Sequence, residues 1–445
     1  ISMLTVFNKI VEKTLYKRIY DFVFLKAKIM SPKQFGFRAK SGTEIAALEL
    51  VEEIKSLLDQ KKKVSAVSMD IRKAFDLVNV DCLIHTLNLS GIRGDSLKLI
   101  ENYLRNRKQI VKINSAISNK KDIDYGVVQG GILGSLLFLI FFNQIAFLKI
   151  NGKLYLYADD AILVNSHDKN EKIDVKITKD MGTILEFFDA QKLYLNYAKT
   201  NFIVFHSPYM KTNEPKTIQI REETICLVTQ IKYLGLVMDE HLKWDRHCEA
   251  LESKLASVTG ILWKLRYKLP QTTKKLIYNT LFETHLNYMS VIYGTACDNV
   301  ISPIQKVQNR ALRHVYNIEM LENRINLYAH LVQNCLPVRA INFVNSATYV
   351  YNNIKNKIHT NIIFERVAST SRTRQAGDLI KSESKTKYGQ KRISSFGVGI
   401  YRSIPQDIRH LPHMHAFKWA LKCYIRNEKM MSSFLSGDYL KSFGK

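Results

Sequence analysis

The sequence predicts an α+β fold in which a sheet-containing part spans about the first 240 residues and a helical part follows. Hydrophobic residues make up 46% of the 445 residues and charged residues 24%, with only 8 prolines, which is typical of a globular protein with a large core. Short runs rich in β-branched residues alternate with helical spacing up to Trp244. Beyond Trp244 only the helical spacing continues, so we expect the sheet to end there.

The chain is strongly basic, with 66 Lys and Arg against 40 Asp and Glu and a net charge of +26. This excess predicts a polyanionic partner, and nucleic acid is favoured over a membrane surface. Residues 331–445 hold 19 basic and 6 acidic residues, which is half of the net charge on about a quarter of the length. Because Tyr388, Phe396 and Tyr401 lie beside those charges, we interpret this segment as a nucleic-acid-binding extension rather than a solvated basic surface.

The first residues do not have the pattern of a secretory leader, so we expect a protein that is not secreted. The six cysteines are far apart without a zinc-ligand spacing, and we read them as reduced and structural. We expect a nuclear or cytoplasmic location. The chain begins at Ile1, which we interpret as the start of a fragment of a longer reading frame. The uncharged stretch Tyr125–Leu148 could mimic a membrane span, but its polar residues and Gly/Ser interruptions favour a buried helix.

Periodicity and turn residues predict the elements of the first part in chain order. These are a helix over Gly42–Gln60, a strand over Val64–Met69, a helix capped by Asp81 that runs to Gly91, a helix over Gly94–Tyr103, a turn and buried helix over Gly130–Leu148, strands at Leu154–Tyr157 and Ala161–Val164, a helix over Ile184–Leu193, and strands at Asn201–Phe205 and Lys232–Met238. Past Trp244 we expect a long amphipathic helix and, near Ile304–Val315, a basic one.

The most informative pattern is the pair Asp159-Asp160 between two apolar strands. Two adjacent carboxylates repel each other and are costly to bury, so apolar flanks on both sides indicate a counter-charge rather than a solvated turn. Asp70 ends another β-rich run 89 residues earlier, where a neighbouring strand of the same sheet could present it. Oxygen ligands on rigid strands suit Mg²⁺ and triphosphate chemistry.

Six sequence blocks, in this order, resemble the reverse transcriptases of jockey-like non-LTR retrotransposons. They are Ser31–Arg38, Ser68–Asp76, Gly126–Phe138, Tyr157–Asp160, Leu195–Thr200, and Tyr233–Gly235 with Leu242–Trp244. The resemblance implies a right-hand polymerase with fingers and palm over residues 1–240, a helical thumb over 241–330 and a basic C-terminal extension over 331–445. It implies an RNA-directed DNA polymerase that extends a primer with dNTPs on an RNA template. We expect the sequence to lack the endonuclease domain of such elements.

The resemblance also implies roles for individual residues. Asp70 and Asp159 would hold two Mg²⁺ ions, with Mn²⁺ as an alternative, helped by Asp160 and the carbonyl of Ile71. Phe75 would exclude a 2′-hydroxyl from the incoming nucleotide, and Lys199 would donate a proton to pyrophosphate. Gln129 and Gly130 would contact the incoming nucleotide and the template. Lys73 would face the triphosphate, and Arg38 would contact the template or phosphates. Tyr233, Leu234 and Gly235 would form the primer grip. Each has an ordinary alternative, such as core packing for Phe75 or a solvated surface for Lys199.

Three positions depart from the family pattern. Gly131 stands where Ser is common, Ser135 where Pro is common, and Gln144 where Asp is common. We expect the helix start near Gly131 to be looser. Two alternatives therefore stay open beside an active polymerase: an inactivated remnant that binds nucleic acid without catalysis, and another reverse transcriptase lineage such as a group II intron maturase. The sequence leaves the oligomeric state undetermined.

Overall fold

The computed structural model describes residues 4–168, 171–210, 214–319, 327–328, 335–366, 378–426 and 428–436. Its strands are β1 (Lys63–Met69), β2 (Arg107–Gln109), β3 (Lys112–Ile113), β4 (Ala116–Ile117), β5 (Lys121–Ile123), β6 (Lys153–Tyr157), β7 (Asp160–His167), β8 (Asn201–Phe205), β9 (Thr217–Ile220), β10 (Glu223–Leu227), β11 (Gln230–Tyr233) and β12 (Leu236–Asp239).

The helices follow in the same order. They are α1 (Val6–Tyr20), α2 (Thr43–Asp59), α3 (Val80–Leu89), α4 (Gly94–Leu104), α5 (Ile132–Phe142), α6 (Ile173–Gln191), α7 (Asp245–Leu265), α8 (Gln271–Ile277), α9 (Thr284–Asn287), α10 (Ser290–Tyr293), α11 (Asp298–Tyr316), α12 (Val338–Ile354), α13 (Lys387–Gln390), α14 (Val398–Ser403), α15 (Gln406–Arg409), α16 (Met414–Tyr424) and α17 (Glu428–Ser436). Short π-helical turns cover Asp21–Lys26, Tyr278–Glu283 and Ile393–Gly397, and a 3₁₀ turn covers Asn143–Phe147.

A six-stranded mixed sheet with the order β6-β7-β1-β8-β10-β9 organises the first part of the chain. Strands β6 and β7 form an antiparallel hairpin, whereas β10 pairs parallel with β8 and antiparallel with β9. Strand β1 lies between β7 and β8 and is buried along nearly its whole length, as its run of β-branched and small residues predicts. The strand that ends before Asp70 therefore neighbours the hairpin that carries Asp159 and Asp160.

Helix α5 is a buried core helix, as the sequence predicts. Nine of its residues are buried, and the first polar residue after it, Asn143, is buried as well. The Asn143 side chain forms hydrogen bonds with the backbone before α2. It accepts from the N–H of Ser31 at 2.8 Å and donates to the carbonyl of Ile29 at 2.9 Å. Among the residues that the structure describes, no helix is long and apolar enough to cross a membrane.

Several sequence predictions agree with the structure to within a residue or two, namely those for α2, β1, α4, β6 and β8, and β7 extends three residues beyond its predicted end. Others need correction. The cap of α3 is Asn79, whose side chain accepts from the N–H of Cys82, and Asp81 lies inside the first turn. Helix α6 begins at Ile173, eleven residues before the predicted start at Ile184. The sequence analysis did not identify β9 and β10, which add two strands to the sheet edge.

The predicted strand at Lys232–Met238 is in fact a hairpin of two short strands, β11 and β12, with Tyr233 paired to Leu236. Leu234 and Gly235 form its turn with φ angles of 47° and 82°. Positive φ at both central residues is the conformation of the two-residue turns that match strand twist, and glycine reaches it without steric cost. The apolar run led to the prediction of one continuous strand, and Gly235 was the only residue in it that indicates a turn.

The chain divides into two compact units. The first comprises residues 1–46, 64–204 and 211–228 and contains most of the six-stranded sheet with α1 and α3–α6. The second comprises residues 47–63, 205–210 and 229–445 and contains the β11–β12 hairpin, the later helices and most of α2. In this second unit α7 packs along α11, with apolar residues such as Leu255 and Leu262 buried as their spacing predicts.

Three buried carboxylates of α2 bind the C-terminal extension within the second unit. Asp59 accepts from the backbone N–H groups of Lys385 and Thr386 at 3.0 and 2.7 Å. Glu52 accepts from the N–H of Ile393 at 2.8 Å and pairs with the guanidinium of Arg392 at 3.1 Å. Glu49 accepts from the side-chain amide of Asn361 at 2.8 Å. These contacts fix the extension to α2 by hydrogen bonds to charged acceptors, which are stronger than neutral ones.

The aromatic residues that suggested base stacking in the extension have another role. Phe396 and Tyr401 are 6% and 7% exposed and belong to the core of the second unit. The Tyr388 hydroxyl lies 3.2 Å from the backbone carbonyl of His241, and burial raises the pKa of this phenol to about 12. This part of the interpretation is therefore wrong, because tertiary packing uses these rings. The basic residues Arg372 and Arg374 lie outside the described residues.

Candidate active site

The Asp159-Asp160 pair occupies the turn of the β6–β7 hairpin. Tyr157 pairs with Asp160, so Ala158 and Asp159 are the two central turn residues. Ala158 has a φ of 56°, a left-handed conformation that costs a non-glycine residue about 1–2 kcal/mol. The surrounding structure therefore has to hold this turn, and it presents both carboxylates at one end of a buried hairpin.

Asp70 lies directly after β1 and is held by the loop that follows α6. The side-chain amide of Asn196 donates to the Asp70 carboxylate at 2.7 Å, and the N–H of Asn196 donates to the Asp70 carbonyl at 2.8 Å. The Lys199 ammonium lies 3.9 Å from the same carboxylate oxygen and is 71% exposed. Because Lys199 is so exposed, this ion pair contributes little to stability. Ile71 is buried and bridges Leu195 across the two segments.

The three carboxylates are close enough to perturb one another. Desolvation raises the pKa of Asp159, and the charge of Asp70 raises it further. Desolvation also raises the pKa of Asp160, with added repulsion from Asp159 and Asp70. Like charges that share a partly desolvated site destabilise their own ionised forms, so this arrangement favours a bound cation. The sequence prediction that these residues come together from distant strands agrees with this geometry.

The segment Ser31–Arg38 packs directly on the turn that carries Asp159. The N–H of Phe35 donates to the Leu156 carbonyl at 2.9 Å, and the N–H of Leu156 donates to the Lys33 carbonyl at 3.0 Å. The buried side-chain oxygen of Gln34 accepts from the N–H of Ala158 at 3.0 Å. At Gly36 any Cβ would collide with the Ala158 backbone, which explains why this position is glycine. The block Ser31–Arg38 is recognisable in the sequence, but the contact of Gln34 with the Asp159 turn is not.

Gln129 contacts the loop that follows Asp70. Its side-chain amide donates to the Asp76 carboxylate at 2.8 Å. In the same region the N–H of Gly126 donates to the Val78 carbonyl at 2.7 Å, and a Cβ at Gly126 would press on the backbone of Asp76. Gly130 is exposed with a φ of 91°, so it serves the turn before α5. The Gln129 contact places its side chain at the segment after β1, and the expected role of Gln129 and Gly130 toward nucleotide and template stays a prediction.

Phe75 combines core packing with partial exposure. Its ring packs on that of Phe138, with centroids 4.3 Å apart, and one part of it stays accessible. Lys73 is exposed with a φ of 40°, between Asp70 and Phe75 in the same loop. Arg38 donates to the Ser31 carbonyl at 2.9 Å and lies over the ring of Phe24, and desolvation lowers its pKa. Both of these contacts of Arg38 join it to residues close by in the sequence.

The expected primer grip occupies the turn of the β11–β12 hairpin in the second unit. Tyr233 is buried, Gly235 is exposed at the tip, and the Leu234 carbonyl accepts from the Tyr288 hydroxyl at 2.6 Å. The hydrogen bond from Tyr288 fixes the turn on the following helices. At the tip, Gly235 exposes backbone because it has no side chain, and the primer-grip role stays a prediction.

A residue that the sequence analysis missed holds the start of α5. The buried carboxylate of Glu12 accepts from the N–H of Ile132 at 2.6 Å and from the Tyr103 hydroxyl at 2.5 Å. A side chain at Gly131 would approach this carboxylate to about 3 Å, so glycine leaves room for it. An acidic group at a helix N-terminus is favourable. The expected looser start is therefore corrected, because Glu12 caps the helix from α1.

Residues 1–238, rather more than half of the chain, match the family described as reverse transcriptase (RNA-dependent DNA polymerase). The probable RNA-directed DNA polymerase from transposon X-element of Drosophila melanogaster is 28% identical over 340 residues, 74% of this chain and 37% of that protein. The RNA-directed DNA polymerase from mobile element jockey of Drosophila funebris is 27% identical, over 71% of this chain and 35% of that protein. The chain therefore spans little more than a third of these relatives.

Among solved structures, the telomerase from Candida tropicalis in complex with a fragment of telomeric RNA is similar with a TM-score of 0.41 and 11% identity, covering 93% of this chain and 56% of that one. The family match carries the fold, and it confirms the predicted right-hand polymerase of mixed helix and sheet. The predicted resemblance to jockey-like elements is confirmed as well. This chain belongs to the reverse transcriptase family.

Proposed function

We propose that this chain is the polymerase part of a non-LTR retrotransposon protein and extends a primer 3′-hydroxyl with dNTPs on an RNA template. The observation that carries the proposal is the cluster of Asp70, Asp159 and Asp160, in which desolvation, and after it repulsion within the cluster, raises the pKa of Asp159 and of Asp160. A reverse transcriptase needs such a cluster to hold divalent metal ions.

The donor set fits magnesium. Asp70, Asp159 and Asp160 provide only hard oxygen ligands, and the carbonyl of Ile71 would add another. Two bound Mg²⁺ ions would supply charge stabilisation at the attacking hydroxyl and at the leaving pyrophosphate. Mn²⁺ accepts the same ligands. Asn196 keeps the Asp70 carboxylate in one orientation, and Gln34 keeps the Asp159 turn in place.

The chain's other residues complete the proposed site. Lys199 would donate a proton to pyrophosphate, and the position of its exposed ammonium, 3.9 Å from Asp70, supports this role. The accessible part of the Phe75 ring would limit the space beside the sugar, and Lys73 in the same loop would face the triphosphate. Gln129 and Gly130 would contact nucleotide and template, and Arg38 would support the fingers segment over them. Tyr233, Leu234 and Gly235 would hold the primer.

We assign residues 1–240 to fingers and palm, 241–330 to thumb and 331–445 to a basic extension. The proposed partners are an RNA template, a DNA primer or target, and dNTPs. The net charge of +26 supports binding to the phosphate backbone.

The test is primer extension on a homopolymer RNA template with Mg²⁺, comparing the wild-type chain, Asp159→Ala and the exposed control Asp95→Ala. Wild type and control are expected to incorporate dNTPs, and Asp159→Ala to lose incorporation by orders of magnitude because no neighbouring carboxylate can replace the missing ligand. Template affinity should stay nearly unchanged, since Lys and Arg contacts with phosphate dominate it. A folded wild-type chain that binds template without any incorporation would instead identify an inactivated remnant.

A further inference from the structure

A second constellation of metal-ligand type lies outside the proposed active site, in the second compact unit. It consists of His206, Glu240 and His241, whose ligand atoms all lie within 4.8 Å of one another. His206 directly follows β8, and Glu240 and His241 directly follow β12. His206 is buried, whereas the side chains of His241 and Glu240 are 20% and 37% exposed.

The hydrogen bonds of the two imidazoles fix their tautomers. Nδ1 of His206 lies 2.9 Å from the carbonyl oxygen of Ser207, and Nδ1 of His241 lies 3.1 Å from the carbonyl oxygen of His206. A carbonyl oxygen can only accept, so both Nδ1 atoms carry a proton. In the neutral rings the lone pairs therefore reside on both Nε2 atoms. Nδ1–H bonded to a backbone carbonyl is the common outer-shell arrangement of metal-ligating histidines.

Both Nε2 atoms face the carboxylate of Glu240, each toward a different oxygen. The distances are 3.9 Å from His206 to Oε2 and 3.7 Å from His241 to Oε1. Both are too long for direct hydrogen bonds. With bonds of about 2.0–2.2 Å, two ligand atoms across a tetrahedral zinc ion lie about 3.3 Å apart. Because all the ligand atoms already lie within 4.8 Å of one another, side-chain adjustments of about 1.5 Å or less would close the site.

The backbone around these residues is well fixed. Asp239 accepts from the N–H groups of His241, Lys243 and Trp244 at 3.0, 3.0 and 2.8 Å. The N–H of His206 donates to the Glu240 carbonyl at 3.1 Å, which joins the end of β8 to the hairpin. Ligands on such a scaffold lose little conformational freedom when a metal binds, which favours affinity.

We propose that His206, Glu240 and His241 form a zinc site with a fourth position open to solvent. Two imidazole nitrogens and one carboxylate are typical ligands for Zn²⁺, whereas Mg²⁺ prefers oxygen alone. The ion would link the end of β8 to the turn after β12. The Tyr388 hydroxyl of the extension contacts the same backbone, at the carbonyls of His206 and His241. Its role is structural and independent of the proposed polymerase chemistry.

The experiment measures binding of Zn²⁺ to the full-length chain by calorimetry, together with the thermal midpoint in zinc and in EDTA. Five proteins are compared: wild type, Glu240→Gln, His241→Ala, and the controls His285→Ala and Asp159→Asn. His285 is exposed in the same unit, and Asp159 belongs to the other carboxylate cluster. Wild type and both controls are expected to bind one equivalent and to melt at a higher temperature in zinc. Glu240→Gln and His241→Ala should bind at least about tenfold more weakly, because each loses one ligand.

Cobalt provides an independent readout. A Co²⁺ complex of the wild type should show visible d–d bands without thiolate charge transfer, and Glu240→Gln should weaken them while keeping its circular dichroism spectrum. Zinc binding that is undiminished in both ligand variants would overturn the proposal, and so would absence of stoichiometric binding in a folded wild type. Loss of binding in Asp159→Asn alone would also overturn it, because the zinc would then occupy the polymerase cluster.

Discussion

The side-chain oxygen of Gln34 accepts hydrogen bonds from two backbone N–H groups, that of Ala158 at 3.0 Å and that of Gly36 at 2.9 Å. One buried amide thus joins the fingers segment to the turn that presents Asp159. The Ala158 conformation is costly by itself, so this contact helps to hold Asp159, the proposed metal ligand, in position.

We predict that Gln34→Leu loosens the catalytic turn. The change keeps the side-chain size but leaves two buried N–H groups without their acceptor, at a cost of about 1–3 kcal/mol each. Amide hydrogen exchange in a peptide covering residues 154–164 should quicken, and dNTP incorporation should fall. Gln109→Leu, on an exposed strand, controls for the apolar substitution. Unchanged exchange at Ala158 would show that other contacts hold the turn.

The second prediction concerns sugar selectivity at Phe75. Phe75→Val opens space beside the nucleotide, so ribonucleotide incorporation should rise relative to deoxynucleotide incorporation. The readout is the ratio of kcat/KM values on one enzyme. Phe138→Leu is the matched control, because it disturbs the same ring contact from the buried side. If the two variants change the ratio equally or not at all, Phe75 is a core residue.

The third prediction is a pH dependence caused by Lys55. This buried ammonium donates to the Lys391 carbonyl at 2.9 Å, and desolvation lowers its pKa to about 7, with further repulsion from Lys391 and Arg392. Between pH 7 and about 10.4 the unfolded chain therefore binds more protons, so the free energy of unfolding rises with pH. The gain is limited to about 1.4 kcal/mol per unit of pKa difference.

Tryptophan fluorescence reports this effect selectively, because Trp244, Trp263 and Trp419 all belong to the second unit. In urea titrations from pH 7 to 10, Lys55→Met should have a flatter pH profile than wild type, whereas the exposed control Lys264→Met should match wild type. Parallel profiles for all three proteins would mean that Lys55 titrates normally in the folded state.

The fourth prediction tests nucleic-acid binding by the extension. Deletion of residues 331–445 is unsuitable, because this segment forms part of the second unit's core. Instead, Lys355, Lys385 and Lys387 are exposed and can be changed together to Gln. Affinity for RNA should fall, and the slope of log affinity against log salt should flatten by about 0.7–0.9 for each lysine that binds a phosphate. The triple Lys→Arg variant should behave like wild type. Equal slopes in the wild type, the Gln variant and the Arg variant would show that these lysines of the extension do not contact the bound nucleic acid.

The sequence by itself determined the carboxylate constellation and most elements around it. Asp159-Asp160 was recognisable because an acidic pair between apolar strands violates ordinary burial preferences. Helix α2, strand β1 and the β6–β7 hairpin follow from local periodicity, which is a property of neighbouring residues. The block order, together with these residues, predicted the family that the comparisons confirm.

Only the tertiary structure decided which polar residues support those elements. Glu12 accepts from the N–H of Ile132, 120 residues away in the sequence, and Glu52 from that of Ile393, 341 residues away. At such separations no local sequence pattern predicts the hydrogen-bond partner. On α2 the apolar spacing predicts the helix, but it gives no indication that Glu49, Glu52 and Asp59 are buried against the extension. The same covering buried Phe396 and Tyr401. Burial of a polar or aromatic side chain depends on what packs against it, and chain segments that are distant in sequence supply that surface.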